Sequence, residues 1–497
     1  MSFRKVKLES LVRTARERAP GSGKRVLVSL TEKIEAIDPL VFLESFVDSA
    51  SSNEDALKVI AGGRMYWERP ADSFAMAGIG AAATFEHSGS RRFAETDAEW
   101  KSLLGDAVIE TECPSALAGG PLLMGGFAFE PNGPRTSLWR GFESSHLIIP
   151  ALLVTSASGQ SWITISMIVS ENGDAAFPPA DVLSLADSLL QTAPLEDFSF
   201  NGVAEGDVNQ SNMSTRNEWR DIVESGVAEI RAGRLEKVVI ARGVRVVAPE
   251  PIDAFAVLRH LRSIYSQSFV FGIWSADRAF VGATPERLVR LSGRDVEASS
   301  LAGTIERGAT PLEDAANVQQ LRESEKDLAE HSAVRNELFS ALSDMCDDVC
   351  AATEPSILTL PHVHHLHTSL RARLRDKGSL LDLVGQLHPT PAVGGSPREV
   401  ALRFIREHEN LDRGWYAAPV GWIGGKGGEF AVALRSALID DDTAVLFAGC
   451  GIVTDSDPDL EYAESNLKLQ AMRAAIGSAS ATSPTTLEMI TASEPLG

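Results

Sequence analysis

The stretch Leu235-Glu-Lys-Val-Val-Ile-Ala-Arg242 decides how the rest of the chain is read. Val238 to Ala241 is an apolar, mostly β-branched run of the kind that forms a buried strand. Just upstream, Thr215 and Glu218 have capping-box spacing, with Trp219, Ile222, Val223, Val227 and Ile230 at helical intervals and Gly233 as the stop. A capped helix thus leads directly into a strand, and Lys237 opens that strand. A lysine there must either snorkel to solvent or sit partly desolvated beside a cleft, where it makes a general base. Alone, such a lysine is ordinarily structural or solvent-facing; its meaning depends on what lies downstream.

Working outward, the chain has 497 residues, 44% hydrophobic and 23% charged, which is ample for a large core. The net charge of −22 argues against nucleic acid as a partner. An acidic protein that takes an anionic substrate needs local cations, either a metal or positioned Arg and Lys. No run approaches the roughly eighteen apolar residues that would span a membrane. The four cysteines, Cys113, Cys346, Cys350 and Cys450, have no Cys-x-x-Cys spacing; Cys346 and Cys350 read as two buried thiols on one helix. Residues 1–25 are basic but have no apolar secretion core; a solvated amphipathic helix is expected ahead of a transit peptide, with the cytoplasm as the default location.

Residues 26–213 read as mixed α and β framework. A strand is expected at 26–30, a helix over 38–49, a small-residue strand at 76–82, and strands at 124–129 and 162–167. The polar residues 195–214 suggest a surface connection. In 214–475, strands are expected near 237–242, 269–274, 279–282 and 288–291, and one long helix over 314–343. A Pro/Gly-rich loop spans 389–397, a helix 398–408, hairpin strands flank Gly424-Gly-Lys-Gly-Gly428, a strand covers 444–453 and a helix 460–476. The Ser/Ala/Thr-rich residues 477–497 suggest a disordered tail.

Two acidic pairs stand out. Asp327 and Glu330, and Glu461 and Glu464, each lie three apart on expected helices, which places both carboxylates of a pair on one face. Two such faces meeting across a cleft would hold a hard dication such as Mg²⁺, although most acidic pairs of this spacing are solvated. Lys468 lies one turn beyond Glu464. Arg435 interrupts an apolar strand, where it needs an anionic partner. Glu286 follows a strand and a proline, and burial there would raise its pKa toward that of a general acid. For each, a surface charge is the plain alternative. The Gly-rich stretches match neither phosphate-loop nor dinucleotide fingerprints. The cluster His362-x-His-His-x-His367 lacks further zinc ligands at suitable spacing, so one histidine lining a cleft is the better reading.

In this order, the motifs resemble those of the chorismate-utilising enzyme family, and within it the isochorismate synthases. The resemblance rests on Lys237-Val-Val-Ile-Ala-Arg242, Phe280-Val-Gly-Ala-Thr-Pro-Glu-Arg287, Ser300-Leu-Ala-Gly-Thr304 and Ser324-Glu-Lys-Asp-Leu-Ala-Glu-His331. It continues through Leu387-His-Pro-Thr-Pro-Ala-Val-Gly-Gly395, Tyr416-Ala-Ala-Pro-Val-Gly-Trp422, Val432-Ala-Leu-Arg-Ser436, Ala448-Gly-Cys-Gly-Ile-Val453 and Asp457-Pro-Asp-Leu-Glu-Tyr-Ala-Glu464 with Lys468. It covers residues 214–475 closely, and the first half more weakly.

The resemblance implies an α/β fold of α+β type, with two stacked, antiparallel-rich sheets flanked by helices, and Mg²⁺ and chorismate in one cleft. It implies Lys237 as the base that activates water, Glu286 as the acid, Glu330 and Glu464 as the main Mg²⁺ ligands, and Asp327 and Glu461 as accompanying acids. It implies substrate contacts from Gly303, Thr304, His365, Ala392, Tyr416, Arg435, Gly449 and Lys468. Cys450 departs from the pattern, since many relatives carry Ala there. Members that use ammonia typically have Gln at the position of Lys237 or Lys at that of Ala302, so water is the expected nucleophile and no glutamine amidotransferase subunit is expected. A monomer is the expectation. Salicylate synthase, which continues to pyruvate loss, and a non-catalytic chorismate-binding subunit are the alternatives; menaquinone, siderophore and salicylate routes are all compatible.

Overall fold

A computed structural model describes residues 3–18, 25–50, 57–59, 62–113, 119–170, 190 and 208–480. Among these, one hydrogen-bonded network joins 21 strands, and every pairing is antiparallel except that of Arg25–Ile34 with Val108–Thr111.

The network divides into two branches at the strand Ser145–Ala157. One edge of this strand pairs throughout with Phe74–Phe85. Its other edge pairs with Leu123–Phe127 at its start and with Gln160–Ser170 at its end. Pro150 lies between these two partners, where a residue without an amide hydrogen costs no ladder bond. One branch runs through Arg64–Arg69, Phe269–Ser275, Arg278–Thr284, Ser436–Asp440 and Thr443–Ile452 to Lys237–Val247. The other runs through Pro419–Gly424, Gly427–Val432, Arg287–Ser292 and Asp295–Glu306 to Val363–Leu374.

Side-chain alternation then builds the layers. Phe269, Phe271 and Ile273 join Val289, Phe430 and Trp415 in a core between the branches. Val270 and Trp274, pointing the other way, join Phe42, Leu258, Leu261 and Met472 beneath the covering helices. The fold is therefore mixed α/β with stacked antiparallel layers, and the layers are joined through shared strands.

Several local expectations are corrected. The long helix breaks at Ser324 into Pro311–Glu323 and Glu325–Met345, because Ser324 is extended and its hydroxyl caps the Asp327 amide. Cys346 and Cys350 lie on the strand Cys346–Ala351, with Cys350 exposed. The first helix, Phe3–Arg18, buries Leu8, Val12 and Ala15 against the sheet and so is not merely solvated. The last helix, Pro458–Ser480, continues past Gly477 into the stretch expected as tail. Residues 481–497, and 195–207 of the expected connection, lie outside the described residues. Among those described, no helix is long and apolar enough to cross a membrane.

Candidate active site

Lys237 begins its strand on the partner of Thr443–Ile452, and Gly451 is the reason its side chain has room. A Cβ on Gly451 would come within 2.6 Å of Lys237 Cε and 3.1 Å of Glu330 Oε1. The residue is 6% exposed, and its amine donates to Glu330 Oε1 at 2.7 Å. Both line a cleft of about 870 Å³, open mouth included. All fourteen residues singled out in the sequence line this same cleft: Lys237, Glu286, Gly303, Thr304, Asp327, Glu330, His365, Ala392, Tyr416, Arg435, Gly449, Glu461, Glu464 and Lys468.

The acids come from two helix starts. Asp327 and Glu330 project from the first turns of Glu325–Met345, and Glu461 and Glu464 from those of Pro458–Ser480. Both N-terminal turns favour negative charge. Burial opposes charge on Glu330, but Lys237 outweighs it and lowers the pKa. Burial raises Asp327, although the Ser324 hydroxyl donates to it. Burial and then the neighbouring Glu464 push Glu461 up to about 7. Lys468 bridges Glu464 at 2.7 Å and donates to the Gly449 carbonyl at 2.9 Å. Burial disfavours its charge, but Glu464 carries its pKa above the usual lysine value.

Hard oxygen donors gathered from two helices, with two of the four carboxyls raised by burial, are the donor set that suits Mg²⁺. Ligand atoms of Glu461, Glu464 and Cys450 lie within 4.8 Å of one another, the one such grouping of three or more His, Cys, Asp or Glu among the described residues. No histidine belongs to it. His364 bonds Asp314 and Thr359, His367 lines a separate pocket, and only His365 of the cluster reaches the cleft.

Arg435 lines the same cleft. Arg435 follows the strand Gly427–Val432 with a positive φ of 48°, a conformation costly for a side chain this long and of the kind held at functional sites. Its Nη2 donates to His365 Nε2 at 3.2 Å, which leaves the His365 Nδ1 proton for the Gly303 carbonyl or Thr304 hydroxyl. Burial, then Arg435 and Lys468, hold His365 neutral. Gly303 sits at a strand irregularity with φ of 76°, its absent Cβ making space for Asp327 and Leu366. Burial pushes the Tyr416 hydroxyl up to about 12.

Glu286 is 3% exposed, in the turn linking the two branches. Burial raises it to about 7 against the pull of Lys237, with the Thr390 hydroxyl beside it.

Arg413 and Lys326, which also line the cleft, are not among the site residues singled out in the sequence, although Lys326 lies within the motif Ser324–His331. Arg413 and Glu409 form a buried pair at 2.7 Å. Arg413 also donates to the Val239 and Val393 carbonyls, and Glu409 accepts from the Ala241 amide. Lys326 approaches Glu461 at 3.9 Å. Nothing in the motif Asp412-Arg-Gly414 marks Arg413; only its buried setting does.

Residues 14–477 match the family model described as chorismate binding enzyme, and the chain belongs to that family. It is 35% identical over 481 residues to isochorismate synthase MenF of Bacillus subtilis, covering 96% of this chain and 98% of that one. It is 37% identical over 465 residues to the salicylate biosynthesis isochorismate synthase of Pseudomonas aeruginosa, covering 93% of each. It is therefore an isochorismate synthase-like enzyme. In fold it matches the menaquinone-specific isochorismate synthase MenF of Escherichia coli, with a TM-score of 0.73, 23% identity and 95% of this chain covered. Anthranilate synthase component I of Streptococcus pneumoniae superposes with a TM-score of 0.59 at 20% identity, over 73% of this chain.

Proposed function

We propose that this enzyme converts chorismate to isochorismate, as a cytoplasmic monomer that needs no ammonia-supplying subunit. The observation that carries the reading is that Lys237 and Glu286, a buried amine and a buried carboxyl raised to about 7, face the same cleft. One provides a base and the other an acid still protonated near neutral pH.

Lys237 acts as a neutral amine and takes a proton from the water that attacks C2 of the ring. The ring double bonds shift, the C4–oxygen bond breaks, and Glu286 gives its proton to the departing hydroxyl. One water enters and one leaves, so the reaction is an isomerisation. Arg435 and Lys468 hold the anionic substrate, and His365, as a neutral acceptor, fixes the Arg435 guanidinium. Tyr416 and the backbone at Gly303 and Gly449 border the ring. Asp327, Glu330, Glu461 and Glu464 would hold Mg²⁺, which supplies positive charge for a substrate carboxylate. Positioned charges in so enclosed a site stabilise the transition state as well as orient the substrate.

Water is favoured over ammonia by Lys237 itself and by Ala302 in the strand Asp295–Glu306. The test is chromatography of the products formed from chorismate and Mg²⁺ without ammonia or any other enzyme. Isochorismate alone is expected. Pyruvate release would establish salicylate synthesis instead, and saturable binding without product would make the chain a silent chorismate-binding subunit.

A further inference from the structure

A second pocket, of about 920 Å³ with its mouth, lies behind the loop that carries Thr390 and Ala392. Of its polar groups Arg92 and His388 are buried and Arg398 is half-buried, and none of the three meets a carboxylate at ion-pair distance among the described residues. Arg92 is 3% exposed, and its Nη1 and Nη2 donate only to the carbonyls of Gly89 and Ala128. Its Nε has no hydrogen-bond partner among the described residues, although the atom is buried. Glu130, the acid whose field reaches Arg92, turns its carboxylate toward Arg406. Arg398 donates to the Gln386 carbonyl and forms no ion pair among the described residues. His388, 5% exposed, spends Nε2 on the Phe129 carbonyl and leaves Nδ1 buried without a partner.

Buried Arg92 meets neutral carbonyls and the Phe93 ring, 4.4 Å from its guanidinium carbon, and half-buried Arg398 meets one neutral carbonyl, whereas a buried cation ordinarily finds a carboxylate. Here the same wall also presents Phe93, Phe129 and Leu402. A ligand that satisfies both sets carries one anionic group on an apolar body. Asp382 and Glu399 also line the pocket and disfavour any further negative charge. We propose that this pocket is a binding site for a small aromatic monocarboxylate, its carboxylate held by Arg92 and Arg398 with His388 alongside. Arginine provides the planar fork that a carboxylate matches. The occupant would touch His388 and Pro389, immediately before Thr390, which stands beside Glu286.

The probe is benzoate, titrated by calorimetry into the full chain. Because benzoate can also enter the catalytic cleft, two variants separate the sites. Saturable binding is expected to survive Arg435→Gln and to weaken by about tenfold or more in Arg398→Gln. Circular dichroism checks that each variant is folded. Arg92→Lys, which keeps the charge but loses Nε and the fork, should weaken it likewise. Loss of binding in Arg435→Gln with retention in Arg398→Gln would place benzoate in the catalytic cleft and overturn the proposal. So would inorganic phosphate binding as tightly as benzoate, or a titration that never saturates. None of these outcomes depends on whether the chain makes isochorismate.

Discussion

Lys237 and Glu330 are 93 residues apart in the chain and 2.7 Å apart in space, an amine and a carboxylate locked together at the floor of the cleft. With 8% and 16% side-chain exposure, neither is screened as a surface pair would be. The pair fixes where the Lys237 amine points, and leaves Glu330 a second oxygen for a cation.

Replacing Lys237 by Ala should therefore do two things. The loss of the proposed general base should lower kcat by about two to four orders of magnitude, while KM should change little because Arg435 and Lys468, the proposed holders of the anion, remain. It should also leave Glu330 buried without its partner. Steady-state kinetics on isochorismate formation checks the first effect, and retained full activity in the variant would mean the base has been misassigned.

Glu286 predicts the shape of the pH profile. Burial raises its carboxyl from the ordinary value to about 7, and the proposed mechanism needs it protonated. Activity should fall as pH rises through about 7, and Glu286→Gln should have low activity without that basic limb. The same shift has a stability consequence of definite sign. A carboxyl with a raised folded pKa contributes stability that is fully present below its unfolded pKa and lost as pH rises through its folded pKa. Glu286→Gln should therefore raise the melting temperature above pH 7 and do little near pH 4, a comparison open to differential scanning calorimetry.

How much of this was legible in the sequence depends on the range of the interaction. The capping box at Thr215 and Glu218 is a contact across one turn, and it forms as its spacing suggests. The break at Ser324 was hidden because the residues on both sides have helical propensity; only the Ser324 cap on Asp327 reveals it. Cys346 and Cys350 suit either a helix or a strand, and pairing with Val363–Leu374 settles which. The fork at Ser145–Ala157 depends on partners that no local pattern specifies. The residues lining the cleft were legible through ordered motifs, but the Lys237–Glu330 and Arg413–Glu409 contacts were not. A motif shows which side chains are present and says little about which of them touch.

Metal should act on stability as well as on rate. Burial and the adjacent Glu464 raise Glu461 to about 7, so without metal this group's contribution is present at acid pH and lost as pH rises through about 7. Added Mg²⁺ should raise the melting temperature, and by more at pH 8 than at pH 5, since cation and proton compete for the same oxygens. Glu330→Gln and Glu464→Gln should reduce that shift, and chelation should abolish turnover. A melting temperature indifferent to Mg²⁺ at both pH values would remove these four carboxylates as its site.

The Arg413–Glu409 pair gives a prediction that separates scaffold from chemistry. Their side chains are 3% and 1% exposed, and between them they hold the strand with Lys237, through Val239 and Ala241, to the loop at Val393. Removing one member leaves the other charged, buried and alone, which costs about 3–5 kcal/mol. Arg413→Met should therefore unfold at markedly lower denaturant concentration than the parent chain. Replacing both, as Arg413→Met with Glu409→Leu, should recover much of the loss because no lone charge remains. Activity should not return in proportion, since the donors to Val239 and Val393 that align the strand and the loop are still missing. A double variant as unstable as the single one would show that those backbone bonds, and not the charge pair, carry the stabilisation.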